Sequence, residues 1–280
     1  MGPHLSTYRD ALAYLFARTT GTSKFGLERT VALLEALGRP DLRVPAFHVA
    51  GTNGKGSVCT SLETMLRARG LRTGKYSSPH LVDLSERFVV DGAAVSHDWV
   101  TEFITRWTPE VERIGATFFE ATTAMAFQFF ADSDVDVAVI ETGLGGRLDS
   151  TNVVRPLVAG VTAIGIDHVE YLGTTRSEIA REKGGIFKPG IPAAIGDIDP
   201  EIVAVLRDAA RDAGASTVLS VLHDTPPTDI RVDVHGTRFR LHIEGAVHDL
   251  HTPLLGTHQA WNTSLALLML RAAGGPYWGG

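Results

Sequence analysis

The 280-residue sequence has a single cysteine, Cys59, so no internal disulfide can form. A chain without such a framework must be held by its core, and it fits a reducing compartment. Cys59 lies within a helical pattern, where a small buried hydrophobe is its ordinary role. Long apolar runs are missing as well: nothing approaches the roughly 20 residues that a membrane-spanning helix needs. Positive charge is in deficit, with 26 Lys and Arg against 32 Asp and Glu and a net charge of −6. The basic face of a nucleic-acid carrier is therefore not expected. There is no internal repeat, no low-complexity segment and no cleavable signal pattern. Met1-Gly2 followed by Ser6 fits a myristoylation pattern formally, but Pro3 argues against it. These absences lead to a cytoplasmic globular protein with no membrane or nucleic-acid partner.

Apolar residues make up 44% and charged residues 21%, enough for one large core or two modest ones. Helical spacing opens the chain at Tyr8, Leu12, Leu15 and Phe16, then at Leu27, Val31, Leu34 and Leu37, with Gly38 and Pro40 as stops. Strands then alternate with helices. The pattern predicts strands at Ala46–Ala50, Thr73–Tyr76, Val135–Ile140, Leu157–Ile164 and Pro192–Ile195. It predicts helices near Ser57–Arg69, His97–Thr105, Ala121–Ala131, Ser177–Lys183 and Glu201–Ala213. Short apolar strands of this kind imply an α/β fold, a mostly parallel sheet with helices on both faces. After about Val218 the period switches to two, and Asp229–Val234, Arg238–Ile243 and Ala246–Leu250 read as a small antiparallel β-sheet. A last helix is expected from His258 to Arg271. The expected organisation is a domain over 1–273 with a small β-subdomain at about 217–252 and an unstructured tail at 274–280.

The most informative segment is Gly51-Thr52-Asn53-Gly54-Lys55-Gly56-Ser57, between an apolar run and a helical pattern. Strand, glycine turn and helix form the context of a P-loop, in which backbone N–H groups fold around phosphate oxygens. The helix N-terminus adds about half a positive charge, and Lys55 can reach the outer phosphates. The loop departs from the common pattern, because Gly56 follows the lysine and the hydroxyl comes one residue later at Ser57. A second cluster, Glu141 to Asp149, follows the next apolar strand; a carboxylate there is suited to hold Mg²⁺ beside ATP, or is simply a surface acid. Asp167-His168 ends a third strand, where histidine is either a ligand or a hydrogen-bonded structural residue. Ser78-Pro79-His80 follows a fourth and, read alone, is a turn. Lys183 and Lys188, near a helix end, read alone as solvated charges.

Taken in this order, the clusters resemble the folylpolyglutamate synthase/dihydrofolate synthase family, relatives of the Mur peptide ligases. The matching pieces are Lys24-Phe25-Gly26-Leu27-Glu28-Arg29, the Gly51–Ser57 loop, Ser78-Pro79-His80-Leu81 and Ser85-Glu86-Arg87. Further matches are Phe119-Glu120 with Thr123, Glu141–Asp149, Asp167-His168, Glu182-Lys183-Gly184 and Gly256 to Asn262. The resemblance implies a Mur-ligase central-domain fold and a set of roles. Gly51, Thr52, Asn53, Gly54, Lys55, Gly56 and Ser57 would hold the ATP phosphates, and Asn262 would lie on the adenine side. Ser78, Glu141 and His168 would be metal ligands, with Ser57 near a metal. Lys183 matches a lysine that the family carries as a carbamate able to bind a second Mg²⁺. Phe119, Asp149 and Ser150 lie where the family docks its pterin substrate.

The implied reaction is ATP-dependent ligation of L-glutamate to dihydropteroate or folate through an acyl phosphate, by a monomer. The family also carries a C-terminal domain with an Asp-Gly-Ala-His-Asn-Pro-like segment, which has no match here. The isolated chain is therefore expected to bind Mg-ATP and to ligate poorly. Two alternatives stay open: a Mur-type ligase acting on a cell-wall precursor, and a non-catalytic nucleotide-binding fragment. Gly56 after Lys55 and Ser78-Pro79-His80 favour the folate branch over the first of these.

Overall fold

The computed structural model describes residues 6–19 and 26–279, so Lys24 and Phe25 of the first matching segment lie outside the described residues. The main sheet has eight strands: β1 (Ala46–Ala50), β2 (Thr73–Tyr76), β3 (Phe88–Val90), β4 (Ala93–Ala94), β5 (Val137–Glu141), β6 (Val158–Val161), β7 (Ala193–Ile195) and β8 (Val218–Ser220). Their order is β4-β3-β2-β5-β1-β6-β7-β8. The strands from β2 to β8 in that order are parallel, and β3 and β4 add an antiparallel edge. The helices are α1 (Tyr8–Phe16), α2 (Glu28–Ala36), α3 (Lys55–Ala68), α4 (His97–Ile114), α5 (Phe118–Asp132), α6 (Val169–Leu172), α7 (Arg176–Gly184), α8 (Pro200–Asp212), α9 (Val221–Asp224) and α10 (Thr257–Ala273).

The central strand explains the two-sided cover. All five residues of β1 are buried, and they alternate between faces as a pleated strand must. Phe47 and Val49 join the layer made with α3 and α10 through Val58, Leu62, Leu265 and Met269. Ala46 faces the opposite layer, where α1, α2, α4 and α5 bury Leu15, Leu33, Phe103 and Phe127. Ala50 faces Ile179 of α7 and Leu206 of α8. Each buried Val, Leu, Ile, Met or Phe side chain among these stabilises the fold by about 1.5–3 kcal/mol.

The sequence pattern and the structure differ in four places. The edge hairpin β3–β4 turns at Asp91-Gly92, both with positive φ (50° and 80°), a two-residue turn signal that the pattern passed over. Helix α4 runs to Ile114 rather than Thr105, straight through Pro109. Val100, Phe103, Ile104 and Val111 keep one buried stripe across the proline, and that burial outweighs the lost hydrogen bond of about 3 kcal/mol. Residues 218–220, which fall inside the approximate 217–252 bounds of the small β-subdomain with no strand expected there, form β8 and pair with β7 in the main sheet. The small antiparallel sheet begins later, with β9 (Thr228–Asp233), β10 (Gly236–Ile243) and β11 (Ala246–Thr252). It docks on α10 through Phe239, Leu241 and Ile243, which cluster with Ala260.

The tail is not unstructured through residue 279. Residues Gly275–Tyr277 form a 3₁₀ turn, and the Tyr277 ring packs edge-on to Phe47 at 5.8 Å. Trp278 Nε1 donates to Glu244 Oε1 at 3.0 Å, and Arg69 Nε donates to the Pro276 carbonyl at 3.0 Å. Among the described residues no helix is long and apolar enough to cross a membrane.

Candidate active site

The parallel register brings the C-terminal ends of β2, β5, β1 and β6 side by side on one sheet edge. The loops that leave these ends carry Ser78, Glu141, Lys55 and His168. Backbone bonds zip two of them together: Thr52 and Asn53 N–H groups both donate to the Ala163 carbonyl, at 3.0 and 3.2 Å. The Thr52 hydroxyl adds a bond to the Gly165 carbonyl.

Two glycines make the loop after β1 possible. Gly51 sits at φ 147°, and a Cβ there would run into the Thr162 hydroxyl. Gly54 sits at φ 92° as the N-cap of α3, and a Cβ there would strike the Asn262 side-chain amide. Asn262, on α10, thus packs directly on the loop, its amide donating to Gln259 Oε1. The first turn of α3 leaves the N–H groups of Lys55, Gly56 and Ser57 without helical acceptors, facing the same mouth.

Two lysines converge on one oxygen. Lys55 Nζ donates to the carbonyls of Gly51 and Thr52 at 3.0 and 3.3 Å, and Lys183 Nζ donates to Gly51 at 2.9 Å. Lys183 is only 2% exposed, which excludes the solvated-charge reading. Burial first, and the Lys55 charge second, hold its ammonium pKa down at about 8, against the pull of Asp167 and Asp149.

Glu141 ends β5 and is 4% exposed, so it is no surface acid. Burial raises its carboxyl to about 7, opposed by the Lys55 charge and by the Ser78 backbone N–H, which donates to it. His168 adopts the left-handed conformation (φ 47°, ψ 46°) and caps α6. Its half-exposed ring has one close acidic neighbour, Asp167 at 3.4 Å. Among the described residues no three His, Cys, Asp or Glu side chains group tightly enough for a metal. The expected set of Ser78, Glu141 and His168 contains only two such residues.

Asp149 is wholly engaged inside its own loop. Oδ2 accepts from the Gly143 and Leu144 N–H groups at 2.9 and 2.8 Å, and Oδ1 accepts from the Thr151 N–H and hydroxyl. Burial nevertheless pushes its carboxyl up. Its neighbour Ser150 is buried. Phe119, at the start of α5, lies flush against Gly143, where any Cβ would enter its ring. The loop that carries Glu141 thus packs against the Phe119 ring and is braced by Asp149. The sequence pattern gave no role to three residues: Thr162, whose buried hydroxyl has no partner; His48, which bonds Thr151 at 2.8 Å; and Arg87.

A glycine loop with two convergent ammonium groups and a buried carboxylate on one edge of a parallel sheet places the chain among α/β proteins of P-loop type. The Mur ligase middle domain family matches residues 49–270, and the chain belongs to that family. It is similar to the dihydrofolate synthase/folylpolyglutamate synthase of Bacillus subtilis, 39% identical over 272 residues, which span 94% of this chain and 63% of that protein. It is also similar to a Mycobacterium tuberculosis folylpolyglutamate synthase solved with ADP and AMPPCP, with a TM-score of 0.84, 37% identity and coverage of 94% and 62% of the two chains. An FPGS–AMPPCP–folate complex superposes with a TM-score of 0.89 at 32% identity, covering 95% of this chain and 67% of that one. Within the superfamily, the chain is a member of the folylpolyglutamate synthase/dihydrofolate synthase branch. It spans less than two thirds of the Bacillus relative's length.

Proposed function

We propose that this chain forms the ATP-binding part of a ligase that joins L-glutamate to dihydropteroate, to folates or to both. The observation that carries the reading is the meeting of Lys55, Lys183 and the Gly51 carbonyl beside the buried Glu141. In the proposed reaction a substrate carboxylate attacks the γ-phosphate of ATP, giving an acyl phosphate and ADP. The glutamate amine then displaces phosphate and forms the amide. Both reactants of the first step are anions, so the residues must position them and offset their repulsion.

Lys55 and the free N–H groups of Lys55, Gly56 and Ser57 in the Gly51–Ser57 loop take the triphosphate, and Asn262 borders the nucleotide. Glu141, which forms no ion pair among the described residues, suits a divalent ion: the charges of Lys55, Lys75 and Arg87 do not offset its desolvation, and a bound cation would. Ser78, Glu141 and His168 would hold Mg²⁺, with Ser57 close by, and the ion would neutralise phosphate charge and fix the phosphate geometry. A carbamate on Lys183 would supply oxygens for a second Mg²⁺. Phe119, Asp149 and Ser150 would border the pterin. The protein would act as a cytoplasmic monomer.

Isothermal titration of the chain with ATP, with and without Mg²⁺, tests the reading. Metal-dependent binding that is lost in Lys55→Ala supports it, and absence of ATP binding in either condition refutes it.

A further inference from the structure

Of the eight buried Asp, Glu, Arg and Lys side chains among the described residues, four have an opposite partner; Glu141, Asp149 and Lys183 of the site described above do not. Among the four, Glu120 meets Arg29, Asp41 meets Arg39, and Asp197 meets Arg176. Arg87 has no such partner either. It is 7% exposed, yet no carboxylate contacts it. Its one side-chain hydrogen bond runs from Nε to His80 Nδ1 at 2.8 Å. Its two η-nitrogens have no hydrogen-bond or ion-pair partner among the described residues. A guanidinium in this state lacks the counter-ion that would offset its desolvation, and its planar fork is matched to one carboxylate.

The surroundings define what that counter-ion is attached to. The guanidinium carbon lies 5.2 Å from the centre of the Phe118 ring, and Phe118 stacks on Phe16 at 5.4 Å. The next residue, Phe119, covers Gly143 in the loop that leaves Glu141. Arg87 is also close enough to Glu141 and Tyr76 for its charge to act on both. At the rim, Leu81 and Val82 are 92% and 90% exposed, one and two residues beyond His80. An unpaired cation thus sits between an aromatic floor and the Glu141 end of the site, with the exposed apolar Leu81 and Val82 following His80 in the chain.

We propose that Arg87 binds the aryl carboxylate of the acceptor substrate, the group that is phosphorylated, and orients it toward the nucleotide. This rests on the folate reading given above. The carboxylate supplies the missing counter-charge, and the aromatic body attached to it lies along Phe118 and Phe119. A free amino acid such as glutamate also carries carboxylates, but nothing in its body would use this aromatic floor.

The probes are pteroate, pteroamide (the same molecule with a neutral amide in place of the carboxylate) and L-glutamate, titrated into the full chain in the presence of Mg-AMPPCP. Wild type is expected to bind pteroate about 10- to 100-fold more tightly than pteroamide. Arg87→Ala should lose that factor for pteroate and leave pteroamide unchanged. Arg87→Lys should recover part of it, because charge returns without the fork. Both variants should still bind Mg-AMPPCP, which reports that they fold. Equal wild-type affinity for pteroate and pteroamide would overturn the assignment without any variant. So would equal loss of both ligands in Arg87→Ala, or loss of L-glutamate binding alone. If wild type binds AMPPCP and folate, titrated in the same way, but not pteroate, this assignment falls while the folate reading stands; if it binds neither pteroate nor folate, the folate reading falls with it.

Discussion

Lys183 Nζ donates to the Gly51 carbonyl at 2.9 Å across 132 residues of sequence, tying α7 to the glycine loop. Because Lys55 reaches the same oxygen at 3.0 Å, the two ammonium groups crowd each other. Burial, with that crowding second, lowers the Lys183 pKa to about 8. A neutral amine is the form that adds carbon dioxide, so carbamate occupancy should rise with pH through about 8. Carbon-13 NMR in labelled bicarbonate should show a carbamate carbonyl in wild type that is missing in Lys183→Ala. A wild-type spectrum without that signal at about pH 8.5 would discard the modification.

Gly51 and Gly56 lie in one loop yet should respond oppositely to alanine. Gly51 holds a positive φ and has the Thr162 hydroxyl where a Cβ would go. Gly51→Ala should cost about 1–3 kcal/mol in thermal or urea unfolding and at least about tenfold in ATP affinity. Gly56 lies in the first turn of α3, with open space around its Cα. Gly56→Ala should leave the stability of the ATP-free protein unchanged or raise it by up to about 1 kcal/mol. Similar melting temperatures for both variants would contradict these opposite roles in the loop.

Glu141 is held at a cost to the fold. Its folded carboxyl, at about 7, lies above the unfolded value of 4.5. Between those values the folded state binds more protons, so stability falls by about 1.4 kcal/mol for each pH unit climbed. Glu141→Gln abolishes this dependence. It should stabilise the metal-free protein by about 3 kcal/mol or slightly more at pH 8, with a difference that vanishes near pH 4. It should also lose Mg²⁺-dependent ATP binding. A variant less stable than wild type at pH 8 would mean that Glu141 is not uncompensated in the free protein.

Much of this site could be read before the fold was seen, because glycine loops after apolar strands report local geometry. The sheet edge follows from the strand–loop–helix order alone, since parallel strands must deliver their C-terminal loops to one side. What escaped depends on distant neighbours. Nothing local marks Lys183 as buried; its environment is created by Gly51 and Lys55. The proline in α4 and the 274–279 tail misled for the same reason, because tertiary burial by Val111 and Phe47 decides both. Arg87 lay within a motif that matched, yet only its missing partner in three dimensions suggests a role.

His48 predicts how the fold fails in acid. Its Nε2 lies 2.8 Å from the Thr151 hydroxyl, which itself donates to Asp149 Oδ1. Nε2 must therefore carry the proton, and Nδ1 is a buried acceptor without a partner. Burial, with the Lys188 charge second, holds the folded pKa at about 3 against 6.5 for a free imidazole. The unfolded chain thus binds the extra proton between those values, and stability falls as pH drops from 6.5 toward 3. Glutamine at position 48 can keep a donor for Thr151 but cannot titrate. In urea melts at a series of pH values, His48→Gln should gain on wild type by about 1.4 kcal/mol for each pH unit below about 6.5. The carboxylates titrate in both proteins and cancel in the difference. Parallel stability curves down to about pH 4 would mean that His48 is not buried as a neutral base, and that the Thr151–Asp149 brace behind the Glu141 loop has another anchor.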